Sequence, residues 1–108
     1  MDAKFAVIFK AELKGVITQG GNAATKSYLE TAERMRSLAI NEYGCLDFVS
    51  VQEGRNEISI SYWENEQAIL AWRNNPEHQN AQQKGAQEWY QGYSVEVVEL
   101  KRCYHSDN

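Results

Sequence analysis

Four short segments rich in β-branched and aromatic residues follow one another in an order that leaves few folds open. They occupy residues 5–9, 45–51, 58–63 and 93–104, and residues 53–56 between the second and third are typical of a hairpin turn. One helical pattern separates the first segment from the second, and another separates the third from the fourth. The order β-α-β-β-α-β predicts a ferredoxin-like α+β fold, with both helical regions on one face of a four-stranded antiparallel sheet.

The first helical segment has recognisable ends. Ser27 and Glu30 have the spacing of a capping box at its start. Gly44 stands where a left-handed residue commonly ends a helix. Between these ends, one stripe at helical spacing is expected to be buried: Tyr28, Ala32, Met35 and Ala39. Residues 15–22, which include three glycines, predict a loop before this helix.

The second helical region contains two helix starts. Asn65 is a suitable cap for a short helix that runs to Trp72. The Asn-Pro pair at residues 75–76 then begins a second helix, with asparagine as the cap and proline in the first helical position. We expect this second helix to run to about Tyr90 and to end at Gly92.

The predicted strands are apolar on both faces, which a single ferredoxin-like chain does not need. Residues 5–9 carry apolar side chains at every position, and residues 45–51 carry them on both parities. An antiparallel sheet with helices on one side usually presents polar residues on the other. The chain has no further segment to cover a second apolar face, and we therefore expect a homodimer. The alternative is a β-bulge near Val97 and Val98 that restores a single core face.

Size, charge and the length of the apolar runs argue against several classes of function. With 108 residues, the chain is expected to form one domain over residues 1–108. Its net charge of −4, without a Lys/Arg cluster, disfavours binding to nucleic acid. The longest apolar run, residues 5–9, is too short to span a membrane, and the N-terminus lacks the design of a signal peptide. We expect a cytoplasmic protein.

The two cysteines do not form a recognisable framework. Cys45 and Cys103 have neither zinc-site spacing nor the number that a disulfide scaffold requires, and each is expected to behave as a small apolar side chain. In a ferredoxin-like sheet the second and fourth strands are opposite edges. An intramolecular disulfide is therefore not expected, although the two residues could meet across a dimer interface.

The second helix carries the strongest candidate for a functional site. His78, Gln82, Gly85 and Trp89 lie at offsets 0, 4, 7 and 11, on one stripe. If this stripe faces the sheet, it brings an imidazole and an amide under an aromatic ring, with space left by the glycine. Three further aromatic residues are expected to reach the same region: Tyr62, Trp63 and Trp72. An apolar cavity with few polar groups is typical of a small-molecule site.

A histidine in such a cavity is suited to proton abstraction near neutral pH. The structural alternative is that His78 is a hydrogen-bonded core residue and that the tryptophans only fill the core. His105, in the polar C-terminal segment, is expected to be frayed. The β-α-β-β-α-β order also occurs in RNA-recognition modules, but residues 58–63 lack their aromatic stacking motif.

These residues together resemble the antibiotic biosynthesis monooxygenase family. The resemblance covers about residues 4–104 and is greatest to small bacterial members whose substrates are not known. It is carried by Ile60-Ser61-Tyr62-Trp63, Ala68-Ile69, Ala71-Trp72, Glu77-His78, Ala81-Gln82, Gly85 and Trp89-Tyr90.

The resemblance implies a dimeric α+β barrel, in which two ferredoxin-like units pack their sheets face to face. It also implies a ligand bound between the sheet and the helices of each subunit. Family members of known activity include oxygenases of polycyclic phenols that need neither metal nor flavin, because the substrate supplies the electrons. By this resemblance, His78 would be the catalytic base. The residues implied to bind the substrate are Tyr62, Trp63, Trp72, Gln82 and Trp89.

Haem degradation, a second activity in the family, agrees less well with the sequence. Family members with this activity carry the iron-ligating histidine about ten residues after a tryptophan that matches Trp72. In this chain that position is Gln82. They also use an asparagine on the first strand, which residues 5–9 do not contain. The expected function is therefore a cofactor-independent monooxygenase acting on a small aromatic or quinol-like substrate. The alternatives are a non-catalytic dimer that binds a small hydrophobic molecule, and a cavity filled by side chains.

Overall fold

A computed structural model of the chain describes residues 2–15 and 23–106. The strands are β1 (Phe5–Leu13), β2 (Asp47–Glu53), β3 (Asn56–Trp63) and β4 (Tyr90–Glu99), and the α-helices are α1 (Ala23–Glu42), α2 (Glu66–Arg73) and α3 (Pro76–Lys84). A five-residue π-helical turn, Gly85–Trp89, joins α3 to β4. The strands form one antiparallel sheet in the order β2-β3-β1-β4. This confirms the ferredoxin-like α+β fold, with β2 and β4 as the opposite edges.

Helix α1 begins earlier than predicted. It starts at Ala23, four residues before Ser27, and most of the predicted loop at residues 15–22 lies outside the described residues. The Ser27 hydroxyl accepts a hydrogen bond from Lys84 Nζ at 3.2 Å, which occupies it away from the helix end. The C-terminal prediction is confirmed, since Gly44 has a φ of 76° and the Cys45 N–H donates to the Ala39 carbonyl at 3.0 Å.

The second helical region follows the predicted caps but not the predicted end. Asn65 Oδ1 accepts from the Ala68 N–H at 2.8 Å at the start of α2, and Asn75 caps α3. The α-helical pattern ends at Lys84, and the chain widens into the π turn rather than continuing as a helix to Tyr90. Gly92 is not a helix terminus, because it lies within β4.

Strand β4 is displaced from its predicted range. It runs over Tyr90–Glu99 instead of residues 93–104, because Tyr90 already pairs with Leu13. After Glu99, the Leu100 N–H still donates to the Lys4 carbonyl. Strand β1 begins at Phe5, and β4 therefore has no partner strand to pair with beyond this point. The hairpin between β2 and β3 turns at Gly54, whose φ of 58° suits a tight turn.

The sheet is apolar on both faces, as the sequence predicts. The pairing register places Val7, Ser61 and Val97 on the face that the helices cover. The opposite face, called the outer face below, carries Ala6, Ile8, Val49, Val51, Ile58, Ile60, Tyr62 and Val98. The β1–β4 register is continuous past residues 97–98 and shifts only at Glu12/Leu13. The alternative of a bulge that restores a single apolar face is therefore wrong.

The core between sheet and helices has two parts. The larger cluster includes Val7, Leu38, Trp63, Ile69 and Trp72, and the smaller one consists of Leu13, Tyr28 and Trp89 with Tyr90 packed against it. Cys45 is buried, Cys103 is exposed, and both are free thiols. Across residues 2–15 and 23–106, no helix has the length and apolar character needed to cross a membrane.

Candidate functional site

A cavity of about 120 Å³ lies between the sheet and helices α1 and α3, where the two core clusters meet. Its walls are mostly apolar and include Phe9, Met35 and Val95. An apolar cavity of roughly 150 Å³ is known to accept benzene. This cavity is therefore of a size that suits a single aromatic ring.

One end of the cavity is formed by His78 and Trp72. Asn75 fixes the first turn of α3, because its Oδ1 accepts from the backbone N–H of Glu77 at 2.8 Å and of His78 at 3.1 Å. The His78 imidazole packs edge-on against Trp72, with ring centroids 4.3 Å apart. Both side chains are more than nine-tenths buried, with exposures of 8% and 7%.

Both rings carry a polar atom without a partner. Within the described part of the chain, Trp72 Nε1 and His78 Nδ1 are the buried side-chain nitrogen or oxygen atoms that make no hydrogen bond. Leaving such a group unsatisfied costs about 1–3 kcal/mol. Both atoms belong to side chains that line the cavity, and a buried polar group without a partner in a native structure calls for an explanation, such as a hydrogen bond completed by a bound molecule.

The environment of His78 favours its neutral form. Desolvation, with a smaller contribution from the nearby Arg73 guanidinium, lowers the pKa of His78 to about 4. A positively charged imidazole would have to exist in an apolar setting beside another cation, which destabilises it. At neutral pH the ring is therefore uncharged and able to accept a proton.

Trp63 supports this end of the cavity without lining it. Its side chain is fully buried, its Nε1 donates to Ser61 Oγ at 2.8 Å, and its ring lies 5.3 Å from the Trp72 ring between centroids. Trp63 was expected to contact a ligand, but the structure places it behind Trp72 and outside the cavity lining. Its hydrogen bond fixes its orientation, and its ring buttresses the Trp72 ring.

Tyr62 is not brought to the cavity. It pairs with Ala6 on one side and Asp47 on the other, and these positions belong to the outer face. Adjacent residues of a strand point to opposite faces, so Tyr62 and Trp63 cannot both face the helices. The prediction that they reach one region fails on this alternation.

Gln82 and Trp89 line the cavity together with His78, as their helical spacing predicts. Gly85 has a different role from the one expected. A Cβ atom at Gly85 would lie 2.5 Å from Cε2 of Tyr90, and therefore the space freed by the glycine is occupied by the Tyr90 ring. Tyr90 in turn lines the cavity and lies 5.5 Å from the Phe9 ring between centroids.

The other end of the cavity contains a polar group that was not predicted from the sequence. Glu57 is 8% exposed, borders the cavity, and accepts a hydrogen bond from the hydroxyl of Tyr28 on α1. The Tyr28 ring packs edge-on against Trp89 at 5.2 Å and Tyr90 at 6.2 Å between centroids. The sequence did contain a signal for this residue. Alternate residues of a strand share a face, and counting back from Trp63 places Glu57 on the face that the helices cover.

All three groups of this second end have perturbed acidity. Burial raises the pKa of the Glu57 carboxyl, and the hydrogen bond from Tyr28 opposes this shift. Burial and the neighbouring Glu57 also raise the pKa values of the Tyr28 and Tyr90 phenols. Ionisable groups that are shifted together beside a cavity are candidates for a functional site.

Side chains that commonly bind metal ions are dispersed among the described residues. In residues 2–15 and 23–106, no three His, Cys, Asp or Glu side chains form a cluster that could hold an ion. His105 is exposed in the C-terminal segment and far along the chain from the cavity residues.

Comparison with solved structures agrees with the observed fold. A conserved protein from Methanosarcina mazei Go1 matches with a TM-score of 0.73 and 12% identity, covering 92% of this chain and 94% of that one. SnoaB, a cofactor-independent oxygenase from Streptomyces nogalater, matches with a TM-score of 0.73 and 8% identity, covering 94% of this chain and 96% of its own. At such low identities these similarities concern the fold alone.

Sequence comparison is more specific. The uncharacterized protein YqjZ of Bacillus subtilis (strain 168) is 48% identical over 77 residues, which are 69% of this chain and 67% of the relative. The family model described as antibiotic biosynthesis monooxygenase matches residues 4–84 of the 108 residues. On this match the chain belongs to the antibiotic biosynthesis monooxygenase family.

Proposed function

We propose that the protein is a cofactor-independent monooxygenase that oxidises a small aromatic or quinol-like substrate in the cavity between sheet and helices. One observation carries this proposal: His78 and Trp72 are in contact, both line an apolar cavity, and each has a buried ring nitrogen without a hydrogen-bond partner. A substrate oxygen placed in the cavity beside the two rings would accept from Trp72 Nε1 and share its proton with His78. The fold of a cofactor-independent oxygenase supports the same reading.

In this reaction, dioxygen is the oxidant and the aromatic substrate is the reductant. The phenolic proton passes to His78, the phenolate ring carbon transfers electrons to dioxygen, and a C–O bond forms. His78 returns the proton to the peroxide anion, and the resulting hydroperoxide loses water together with the hydrogen of the same ring carbon, which leaves a quinone and accounts for both atoms of dioxygen. Such a reaction requires neither metal nor flavin, because the substrate supplies the electrons. Trp72, Gln82 and Trp89 would orient the ring.

Charge within the site supports proton transfer to a group of low pKa. A phenolate beside the protonated imidazole would stabilise it, and the pKa of His78 would rise from about 4 once the anion forms. Arg73, which also borders the cavity, adds a positive charge that favours the phenolate. The base therefore gains strength when the substrate is bound.

The second candidate is binding without catalysis. The pKa of about 4 favours it, because a general base is most effective when its pKa lies near the working pH. In that case the cavity would hold a small hydrophobic molecule and His78 would contribute only a hydrogen bond. Oxygen consumption distinguishes the two functions.

The test is oxygen uptake with a panel of phenols and hydroquinones. We expect the wild-type protein to consume oxygen with one or more of them and His78→Ala to lose this activity while keeping its fold and oligomeric state. His105→Ala, at the other histidine of the chain, is the matched control and should retain full activity. Equal uptake by wild type and His78→Ala would contradict the catalytic assignment, and ligand binding without uptake would support the second candidate.

The proposed enzyme is a homodimer whose subunits pack through the outer face of the sheet. The support for this assembly is the exposed apolar surface, where Val49 is 48% and Val51 60% exposed in a single chain. The outer-face position of Tyr62 then assigns that residue to the subunit interface rather than to the substrate. The cytoplasmic location and the single domain over residues 1–108 stay predictions.

A further inference from the structure

The cavity has two polar ends, separated by mostly apolar walls in which Ser50 and Ser59 are hydrogen-bonded to each other. His78 and Trp72 form the first end, close to the core cluster that includes Val7 and Trp63. Glu57 and Tyr28 form the second end, close to the cluster that includes Leu13 and Trp89. Glu57 lies near the start of strand β3, whereas Trp63, whose ring contacts Trp72, lies at the end of the same strand.

The second end is rich in hydrogen-bond acceptors. Tyr28 directs its hydroxyl proton to Glu57 Oε2 and also forms a hydrogen bond with the Tyr90 hydroxyl, so that Oε1 of Glu57 is the acceptor considered for a ligand. Glu57 forms no ion pair among the described residues, whose salt bridges involve other acidic side chains. A buried carboxylate without a cation is costly, and it is stabilised by hydrogen-bond donors.

We propose that Glu57, oriented by Tyr28, is a specificity-determining residue that accepts a hydrogen bond from a second hydroxyl group of the bound ligand. The ligand is then an aromatic ring with hydroxyl groups at opposite ends, one beside His78 and the other beside Glu57. This inference deepens the proposed function. The statement that the ligand is a substrate rests on that function. The same site disfavours ligands with a carboxylate at that end, because two anions would meet in an apolar setting.

The experiment compares phenol, hydroquinone and 4-hydroxybenzoate by isothermal titration calorimetry without oxygen, so that no ligand is consumed. Wild type is expected to bind hydroquinone at least about tenfold more tightly than phenol, since a hydrogen bond to a charged group contributes that much. It should bind 4-hydroxybenzoate more weakly than hydroquinone.

Glu57→Gln keeps the shape of the side chain and removes its charge. We expect it to lose most of the preference for hydroquinone over phenol and to bind 4-hydroxybenzoate more tightly than wild type does. Glu53→Gln, an exposed glutamate on β2, is the matched control and should keep the wild-type order of affinities. Tyr28→Phe is a second variant, and it should reduce the same preference because it releases the oriented carboxylate.

The outcomes separate this inference from the proposed function. Equal affinities of wild type for phenol and hydroquinone, or an unchanged preference in Glu57→Gln and Tyr28→Phe, would overturn the role of Glu57. Failure of all three compounds to bind would overturn it as well. A Glu57-dependent preference without any oxygen uptake would support the inference and contradict only the catalytic function. Oxygen uptake without the preference would support the catalytic function and contradict the role of Glu57.

Discussion

At the scale of single residues, His78 connects the sequence pattern to the chemistry. The helical spacing placed it on one stripe with Gln82, and both residues border the cavity. Its burial and its unpartnered Nδ1 are not visible in the sequence, since both depend on the position of Trp72. The energetic consequence is a histidine that is more stable neutral than charged.

The depressed pKa of His78 predicts a dependence of stability on pH. Below its ordinary value of 6.5 the unfolded chain binds a proton at His78, whereas the folded chain does so only near pH 4. The stability that the neutral ring contributes is complete above pH 6.5 and is lost as the pH falls toward 4. By linkage, the free energy of unfolding should fall by up to about 3 kcal/mol over this range from His78 alone.

The measurement is urea unfolding between pH 4 and pH 7.5 for wild type, His78→Gln and His105→Ala. His78→Gln should lose part of the pH dependence, and His105→Ala should retain it because His105 is exposed. Identical slopes for all three proteins would contradict the burial of His78 as a neutral ring.

At the scale of elements, the π turn Gly85–Trp89 determines how the cavity is closed. Its backbone bond from the Tyr90 N–H to the Gly85 carbonyl spans five residues, one more than an α-helix allows. The extra residue places Trp89 and Tyr90 beside Tyr28. Helical periodicity predicted the stripe through Trp89 but not this widening, because a π turn depends on the contacts at its end.

Gly85→Ala should disturb this closure. Its Cβ would lie 2.5 Å from Cε2 and 2.9 Å from Cδ2 of Tyr90, and the ring must then move. We expect a loss of about 1–3 kcal/mol in the free energy of unfolding and weaker binding of hydroquinone.

Gly92→Ala is the matched control for this variant. A Cβ at Gly92 meets no atom within 4 Å, and its stability should stay within about 0.5 kcal/mol of wild type. Urea unfolding and calorimetry measure both effects. Equal stability and binding in the two variants would show that the Gly85–Tyr90 contact has no structural importance.

At the scale of the whole molecule, the outer face of the sheet is the feature that a single chain leaves unexplained. Its valine and isoleucine side chains are exposed on β2, β3 and β4, and Val51 is 60% exposed. The two-sided apolar pattern of the strands predicted this surface, and the pairing register confirms it. Exposed apolar area of this kind favours association of two copies.

Val51→Lys should weaken the proposed dimer. A lysine ammonium buried at the interface would lose its hydration without gaining a partner, and the chain should shift toward its monomer mass of 12.4 kDa. Leu70→Lys is the matched control, because Leu70 is 52% exposed on α2, on the helical side of the sheet. Light scattering after size-exclusion chromatography measures the mass. A monomeric wild type, or equal masses for the two variants, would contradict this interface.

The sequence by itself determined the order of the elements, the two asparagine caps and the apolar character of both sheet faces. These properties depend on residues within a few positions of one another, such as Asn75 and the N–H groups of residues 77 and 78. Only the tertiary structure decided that Tyr62 faces outward, that Tyr90 fills the space beside Gly85, and that Glu57 meets Tyr28. The reason is physical: strand register and packing join residues far apart in the chain, and a displacement of one position exchanges the two faces of a strand.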